Sequence, residues 1–337
     1  MARSARIVST VSDLTMSRCT SGRASPATTA GGGAPAAVRS SPTTLGVTGI
    51  VIIIGCGYIG RLLGARLAAA GGAVIGVVRS AESAAQLPTL GIRPLQCDLL
   101  RETPDALETA GADVFHLAPP PAEGREDPLT ARLIDLFATR GEPRRLVYVG
   151  TTGVYGDCGG DWVDERRTPN PVAERALRRW DAEERLRAWH ATSGAELVIL
   201  RVAGIYACDR LPLARIESGQ PVVSAAEAPW SNRIHAQDLV EICVAAKERA
   251  PDGGLYNVCD GEPSTMTDYF LRVAAAAGVA SPPQIPLAQA PGRVSAGMLS
   301  YLRESRRLSN RKLLAELHIR LRYPNLEAGL ADCFASG

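Results

Sequence analysis

Two spacings of apolar residues alternate along the chain between about residues 48 and 202. Short, nearly continuous apolar runs, such as IVIII at residues 50–54, are typical of strands buried on both faces. Between these runs, apolar residues recur every three or four positions and predict amphipathic helices. The predicted strands are residues 49–54, 73–78, 92–99, 113–118, 145–150 and 195–202, with helices that include residues 58–71, 128–140 and 173–192. Alternating strands and helices indicate βαβ units and a parallel sheet covered on both faces.

The pattern differs at the two ends of the chain. After residue 202 the spacing becomes irregular and predicts short strands with helices near residues 237–249, 266–278, 309–317 and 325–335. We therefore expect an α/β domain over residues 47–203 and a smaller lobe over residues 204–337, interleaved with the end of the sheet. Residues 1–46 are rich in Ser, Thr, Ala, Gly and Arg without periodicity, which predicts a disordered tail. A transit peptide and a later start of translation are the alternatives.

Gly55, Gly57 and Gly60 lie where the first predicted strand turns into the first helix. In such a G-x-G-x-x-G turn the first glycine permits the turn, the second lets a pyrophosphate approach, and the third lets the helix pack on the sheet. The helix start, at Tyr58 and Ile59, offers N–H groups with partial positive charge to the phosphates. The sequence thus predicts dinucleotide binding by a Rossmann-type α/β fold, a doubly wound parallel sheet with a small C-terminal substrate lobe. A glycine turn kept only for packing is the alternative.

Arg79 follows the second predicted strand, near where an acidic residue would bind the ribose 2′-hydroxyl of NAD. A guanidinium there can pair with the 2′-phosphate of NADP, so the sequence favours NADP, with NAD as the second choice. A solvated residue at the strand end is the other interpretation of Arg79. Asp98, after the third strand, can accept a hydrogen bond from the adenine amino group or cap a helix.

Nine segments between residues 50 and 262 occur in a characteristic order: GCGYIG, CDL, FHLAPP, VYVGTTGVYGD, VDE, TPNP, LRVAGIY, NRIHAQDLV and LYNVCDGE. Together they resemble the extended short-chain dehydrogenase/reductase family, which includes sugar-nucleotide epimerases and dehydratases. The resemblance implies that Leu117 and Ala118 line the coenzyme near its ribose. It also implies a catalytic Ser or Thr at the end of the fifth strand, which Thr151 matches best.

The chain departs from this family at its central catalytic element, a tyrosine four residues before a lysine on one helix. Arg175 and Arg179 stand in these two slots, and no Tyr-x-x-x-Lys occurs anywhere in the sequence. A guanidinium cannot cycle its proton at neutral pH, so the general acid–base help, worth about 10²–10⁴ in rate, has to come from elsewhere. The two arginines, one helical turn apart, can form an anion-binding pair in the cleft or belong to a solvated helix face.

Five further residues are considered for the chemistry. Tyr155 and Tyr206 are candidate replacements for the missing acid, although the resemblance makes both more typical of structural or pocket-lining tyrosines. Arg233, beside His235, can bind a substrate anion. His235 precedes a predicted helix, and Asp238 in the first turn of that helix is expected to satisfy backbone donors.

Composition excludes several classes of function. The net charge of +2 favours neither nucleic acid nor an acidic membrane surface, and no apolar run approaches the about 20 residues that span a bilayer. No Cys/His cluster has metal-binding spacing along the sequence, so no metal is expected. The eight cysteines are expected to be free thiols in a reducing, cytoplasmic setting, and they are residues 19, 56, 97, 158, 208, 243, 259 and 333.

These observations lead to two hypotheses. The first is an NADP-dependent oxidoreductase or an epimerase- or dehydratase-like enzyme, acting on a small polar substrate with non-standard catalytic residues. The second is a non-catalytic NAD(P)-binding sensor or scaffold. The resemblance also suggests a homodimer.

Overall fold

The computed structural model describes residues 49–335, so the predicted tail over residues 1–46 lies outside the described part. The strands are β1 (Ile50–Ile54), β2 (Ala73–Val78), β3 (Ile92–Gln96), β4 (Asp113–His116), β5 (Arg145–Thr151), β6 (Trp162–Val163), β7 (Glu196–Val202), β8 (Gly204–Tyr206), β9 (Val222–Val223), β10 (Trp230–Ser231), β11 (Arg233–His235), β12 (Gly254–Val258), β13 (Ser264–Thr265), β14 (Gln284–Ile285) and β15 (Arg307–Leu308). The helices are α1 (Tyr58–Ala69), α2 (Ala81–Gln86), α3 (Pro128–Arg140), α4 (Glu174–Ser193), α5 (Leu213–Glu217), α6 (Ala236–Arg249), α7 (Met266–Ala277), α8 (Ala296–Leu302), α9 (Arg311–Glu316) and α10 (Leu326–Phe334).

Seven strands form one parallel sheet in the order β3-β2-β1-β4-β5-β7-β12. The chain winds outward from β1 in both directions, which is the order of a Rossmann-type sheet, and the predicted fold class is confirmed. The seventh strand, β12, lies within the sequence assigned to the C-terminal lobe and pairs with β7. The boundary near residue 203 stays a prediction, since the last sheet strand lies beyond it.

Alternate residues of β1 belong to opposite helical layers. Val51 and Ile53 belong to a core cluster that includes residues of α1 and α6, whereas Ile52 and Ile54 belong to one that includes residues of α3 and α4. Successive side chains of a strand point to opposite faces, so a continuous apolar run is needed when both faces are covered. This geometry explains why the sequence pattern of β1 is IVIII.

A buried ion pair connects α4 to the sheet. The guanidinium of Arg201, on β7, donates to the carboxylate of Glu183 at 2.7 Å, and the two side chains are 2% and 0% exposed. The rings of Tyr155 and Trp180 lie beside the same guanidinium. The pair explains how a charged residue occupies a central strand position, because a buried charge requires a partner.

The C-terminal part builds a smaller core of its own. Helix α7 contributes Tyr269, Phe270 and Val273, against which Leu326 and Leu330 of α10 pack. Four two-stranded pairings, β10-β13, β8-β11, β9-β14 and β6-β15, complete this part of the described chain. The first three involve only residues beyond 203, and β6-β15 joins a segment that follows β5 to the C-terminal part.

The expectation that every cysteine is a free thiol is wrong for two of them. Cys208 and Cys333 form a disulfide, although 125 residues separate them. The turn after β8 and the last turn of α10 bring their Cα atoms to 4.9 Å, a proximity that no local pattern reports. Free buried thiols are found at residues 56, 97, 158, 243 and 259, and Cys19 lies outside the described residues.

None of the helices between residues 49 and 335 combines the length and apolar character that crossing a membrane requires.

Candidate functional site

The glycine turn between β1 and α1 lies at the carboxyl ends of the sheet strands. Gly55 has a φ of +82°, and a Cβ on it would lie 2.5 Å from the backbone of Ala118. Only glycine fits there, because both the left-handed conformation and the contact exclude a side chain. Around Gly57, by contrast, a Cβ would meet no atom within 4 Å. The backbone of Gly57 therefore faces open space in which a ligand can approach it.

The start of α1 has the features of an anion-binding helix N-terminus. Gly57 is the N-cap residue, no side chain caps the helix, and no acidic residue lies in its first turn. Uncapped N–H groups and the helix dipole favour a negative group at such an end. The Tyr58 hydroxyl donates to Asp209 at 2.6 Å, and the Arg210 guanidinium lies 3.8 Å from the Tyr58 ring centroid.

Two cavities meet at this turn. One, of about 560 Å³, extends past the end of β2 and is lined by Arg79, Asp98 and Ala118. The other, of about 790 Å³, extends past the end of β5 towards the C-terminal part. Gly55 and Gly57 line both cavities, so a ligand with two arms joined by a pyrophosphate fits across the turn.

The smaller cavity holds the residues predicted to select the coenzyme. Arg79 is exposed and follows β2 directly. Strand β3 ends at Gln96 rather than at the predicted residue 99, and Asp98 lies in the turn that follows. The Asp98 carboxylate accepts from the backbone N–H of Leu100 at 3.2 Å, so it caps this turn rather than a helix.

The larger cavity is lined by Thr151, Arg175 and Arg179, the two arginines being those that the resemblance places in the catalytic slots. The Thr151 Oγ1 atom accepts from the backbone N–H of Gly153 at 3.1 Å. Arg175 donates to Glu304 at 2.9 Å and to Ser300, and it stacks on the Tyr301 ring at 4.0 Å. Its environment is that of a cleft wall, not of a solvated helix face.

Arg179 points to the strand ends. Its guanidinium lies 3.3 Å from the Ala118 carbonyl oxygen, 3.4 Å from the Tyr148 hydroxyl and 3.5 Å from the Val149 carbonyl oxygen. Because it lines the larger cavity as well, the solvated-face interpretation fails for this residue too.

Comparison with known proteins now identifies the family. The sequence model of the NAD dependent epimerase/dehydratase family matches residues 51–259. The chain belongs to this family. A conserved protein of unknown function from Silicibacter pomeroyi is 31% identical, with 86% of this chain and 99% of that chain covered and a TM-score of 0.76.

Two further relatives match this chain over very different lengths. The UDP-glucuronic acid 4-epimerase from Bacillus cereus, solved with NAD, is 17% identical over 85% of this chain and 99% of that one, with a TM-score of 0.65. That likeness concerns the fold alone. The dTDP-6-deoxy-L-talose 4-dehydrogenase (NAD(P)(+)) from Kitasatospora kifunensis is 33% identical over 115 residues, which are 32% of this chain. The matched region spans 36% of that relative's length.

The structure places neither candidate replacement tyrosine on the cleft wall of this epimerase/dehydratase family member. Tyr155 is 1% exposed, and its hydroxyl donates to the Asn257 side chain at 2.8 Å. Tyr206 is equally buried, and its hydroxyl donates to the Asn325 carbonyl at 3.4 Å. Burial raises the pKa of both phenols. Tyr155 is therefore corrected from a catalytic candidate to a core residue, and Tyr206 with it.

Two histidines and an aspartate have structural roles. His116 is buried at the end of β4, its Nε2 lies 2.9 Å from Thr130 Oγ1, and burial lowers its pKa to about 3. His235 caps α6 by accepting the Gln237 N–H, as its position before a helix suggested. Asp238 accepts two backbone N–H groups, as predicted, but from residues 322 and 323 rather than from its own helix.

Most of the side chains that the C-terminal part contributes to the larger cavity were not predicted from the sequence. Their common feature is that they are aromatic or charged and come from segments without family-like motifs, and they include Trp230, Tyr269, Tyr301, Glu304 and Arg306. Arg233, which the sequence did indicate, is buried with its guanidinium 4.4 Å from the Tyr269 ring centroid. The only local sequence signal for Arg233 was its position just before α6.

Proposed function

We propose that this family member is an NADP-dependent oxidoreductase or epimerase-type enzyme acting on a polar, nucleotide-linked sugar. The observation that carries the proposal is the pair of cavities meeting at Gly55 and Gly57, with the uncapped start of α1 beside them. The dTDP-6-deoxy-L-talose 4-dehydrogenase (NAD(P)(+)) relative is named for a dTDP-linked sugar, which supports this substrate class.

The residues of the smaller cavity suit the adenosine half of NADP. The start of α1 would hold the pyrophosphate, and Arg79 would meet the 2′-phosphate, since no acidic residue follows β2 directly. When bound, the nicotinamide would supply or accept the hydride of the reaction. Asp98 and Ala118 line the adenosine side, and Leu117 lines the larger cavity.

Thr151 is suited to polarising a substrate oxygen. Its Oγ1 lone pair already accepts from Gly153, so its own O–H is available to donate towards the cleft. A donor placed where negative charge develops stabilises that charge without reorganisation. Arg233 and Arg306, which line the same cavity, would hold the anionic part of the substrate.

The proton donor is assigned to Tyr301 instead of Tyr155 or Tyr206. Three tyrosines among the described residues line the larger cavity. Burial, together with the hydrogen bond to Asp209, raises the pKa of Tyr58 to about 12, and burial also raises the pKa of Tyr269. Tyr301 is 49% exposed and its ring stacks on Arg175, the residue in the family's tyrosine slot. An exposed phenol beside the residue in that slot can donate its proton to a substrate bound in the cleft.

Turnover of UDP- and dTDP-sugars with NADP⁺, followed by the absorbance of reduced nicotinamide and by product chromatography, tests the proposal. Thr151→Val is expected to lower kcat by about 10²–10³ because a donor to the reacting oxygen is lost, while Thr151→Ser restores most of the rate. Tyr301→Phe is expected to lower kcat by about 10²–10⁴. Full activity in both Thr151→Val and Tyr301→Phe would refute these assignments.

The sensor hypothesis is kept because guanidinium groups fill both catalytic slots. It predicts tight binding of the coenzyme with no turnover of any substrate in the panel. It further predicts that Thr151→Val leaves coenzyme affinity and all other properties unchanged.

A further inference from the structure

The disulfide lies next to a segment that contacts the start of α1. Residues Cys208–Arg210 form one 3₁₀ turn after β8, and we call this turn the strap. Cys208 anchors the strap to α10 through Cys333, while Asp209 and Arg210 contact Tyr58 at the start of α1. The strap therefore connects the covalent link directly to the wall of the coenzyme cleft.

His235 is placed to assist chemistry at this sulfur pair. One of its ring nitrogens and the two sulfur atoms all lie within 4.8 Å of one another. Its Nδ1 accepts the backbone N–H of Gln237 at 3.2 Å, so the neutral ring carries its proton on Nε2. Burial lowers the pKa of His235 and thus favours that neutral ring.

The Nε2 atom of His235 is buried and has no hydrogen-bond partner within the described chain. A ring that carries its proton on Nε2 can donate a hydrogen bond from that atom but cannot ligate a metal through it. The cluster of Cys208, His235 and Cys333 thus matches a reactive thiol pair better than a zinc site.

The disulfide is accessible, and helix α10 has other contacts with the lobe. Cys208 is exposed, which lets an external thiolate reach its sulfur, and exposed disulfides are the labile ones. Helix α10 is also held by Leu326 and Leu330, which pack in the lobe core. Breaking the link would therefore release the strap without unfolding the helix.

We propose that Cys208–Cys333 is a site of thiol–disulfide exchange with a dithiol reductant, and that its state controls the contact of the strap with Tyr58 and thereby the rate of coenzyme entry and release. A reductant thiolate attacks one sulfur and forms a mixed disulfide, and the second reductant thiol then displaces that sulfur. Two protein thiols and one oxidised, cyclic reductant result, so two electrons and two protons pass to the protein. With the link intact, the strap stays against Tyr58, and coenzyme entry and release are slow. The second part of this proposal rests on the proposed function.

Alkylation of the folded, oxidised protein with and without dithiothreitol, mapped by mass spectrometry, tests the exchange itself. Cys208 and Cys333 should become labelled only after reduction, whereas the fully buried Cys243 and Cys259 stay unlabelled in both states. Labelling of the pair before reduction, or none after it, would overturn the proposal. Stoichiometric zinc binding by the reduced protein would overturn the assignment of the proton to His235 Nε2.

Stopped-flow fluorescence with NADPH tests the effect of the disulfide on coenzyme entry and release. Reduction is expected to raise the association and dissociation rate constants about threefold or more, as expected when a gating segment is freed. The double variant Cys208→Ser/Cys333→Ser should show the faster rates regardless of dithiothreitol. Asp209→Ala should show them with the disulfide intact, because the contact with Tyr58 is lost. Asp105→Ala is the matched control, because Asp105 is an exposed aspartate that lies far from the strap in the sequence.

The outcomes separate the two proposals. Equal rate constants for NADPH binding in the oxidised and reduced protein would refute the gating role, although they would still show that the coenzyme binds. If neither NADPH nor NADH binds in any form, the proposed function fails, and the alkylation result still decides whether the disulfide is an exchange site.

Discussion

Gly55 and Gly57 should respond in opposite ways to the same substitution. A Cβ on Gly57 meets nothing within 4 Å, so Gly57→Ala is expected to change the free energy of unfolding by no more than about 1 kcal/mol. A Cβ on Gly55 would lie 2.5 Å from the backbone of Ala118 at a φ of +82°. The left-handed conformation alone costs about 1–2 kcal/mol, and the contact forces a backbone shift in addition.

Coenzyme binding should show the reverse order of sensitivity. The added methyl group of Gly57→Ala occupies the open space in front of the helix start and keeps a pyrophosphate from its N–H groups. Loss of two charge-assisted hydrogen bonds, at about 1.5–3 kcal/mol each, weakens binding by about 10²–10⁴-fold. Thermal unfolding and calorimetric titration with NADP⁺ measure the two effects. Wild-type affinity in Gly57→Ala, or a wild-type melting temperature in Gly55→Ala, would show that the two glycines do not have these separate roles.

Three further predictions concern charge. Arg79→Ala should weaken NADP⁺ binding by about 10–100-fold and leave NAD⁺ binding unchanged, whereas Arg93→Ala, an exposed arginine on β3, should affect neither in the same titration. Glu183→Leu leaves Arg201 buried without its partner and should lower the free energy of unfolding by about 3–5 kcal/mol in urea titrations, a loss below about 1 kcal/mol being contrary to the account. Burial raises the pKa of Asp260 to about 7. Between about pH 4 and 7 the native carboxyl thus keeps a proton that the unfolded chain releases, so its contribution to stability declines as pH rises. Asp260→Asn should reduce that decline by about 1–3 kcal/mol in unfolding curves, and an unchanged pH dependence would contradict it.

The parallel sheet and the glycine turn could be predicted because their signals are local. The run at β1 is apolar at every position because both faces of the strand are covered, and a period of two or of 3.6 is visible in a short window. The same holds for α3, whose predicted bounds match the structure, and for the turn at Gly55, where backbone geometry restricts the residue type.

The contacts that define the larger cavity carry no such signal. Arg175 meets Glu304 from 129 residues away, and Cys208 meets Cys333 from 125 residues away. Such pairs depend on how the C-terminal part folds against the sheet, which no periodicity encodes. Tyr155 illustrates the converse, since the sequence made it a candidate for the missing acid, but its hydroxyl donates to the Asn257 side chain within the core.

Calorimetric titration of the full chain with NADP⁺ and with NAD⁺ is the most direct test of the central claim, that a nicotinamide dinucleotide lies across the turn at Gly55 and Gly57. Saturable binding at one site per chain is expected, tighter for NADP⁺ than for NAD⁺. Absence of binding heat with both coenzymes, together with an unchanged melting temperature in their presence, would contradict it.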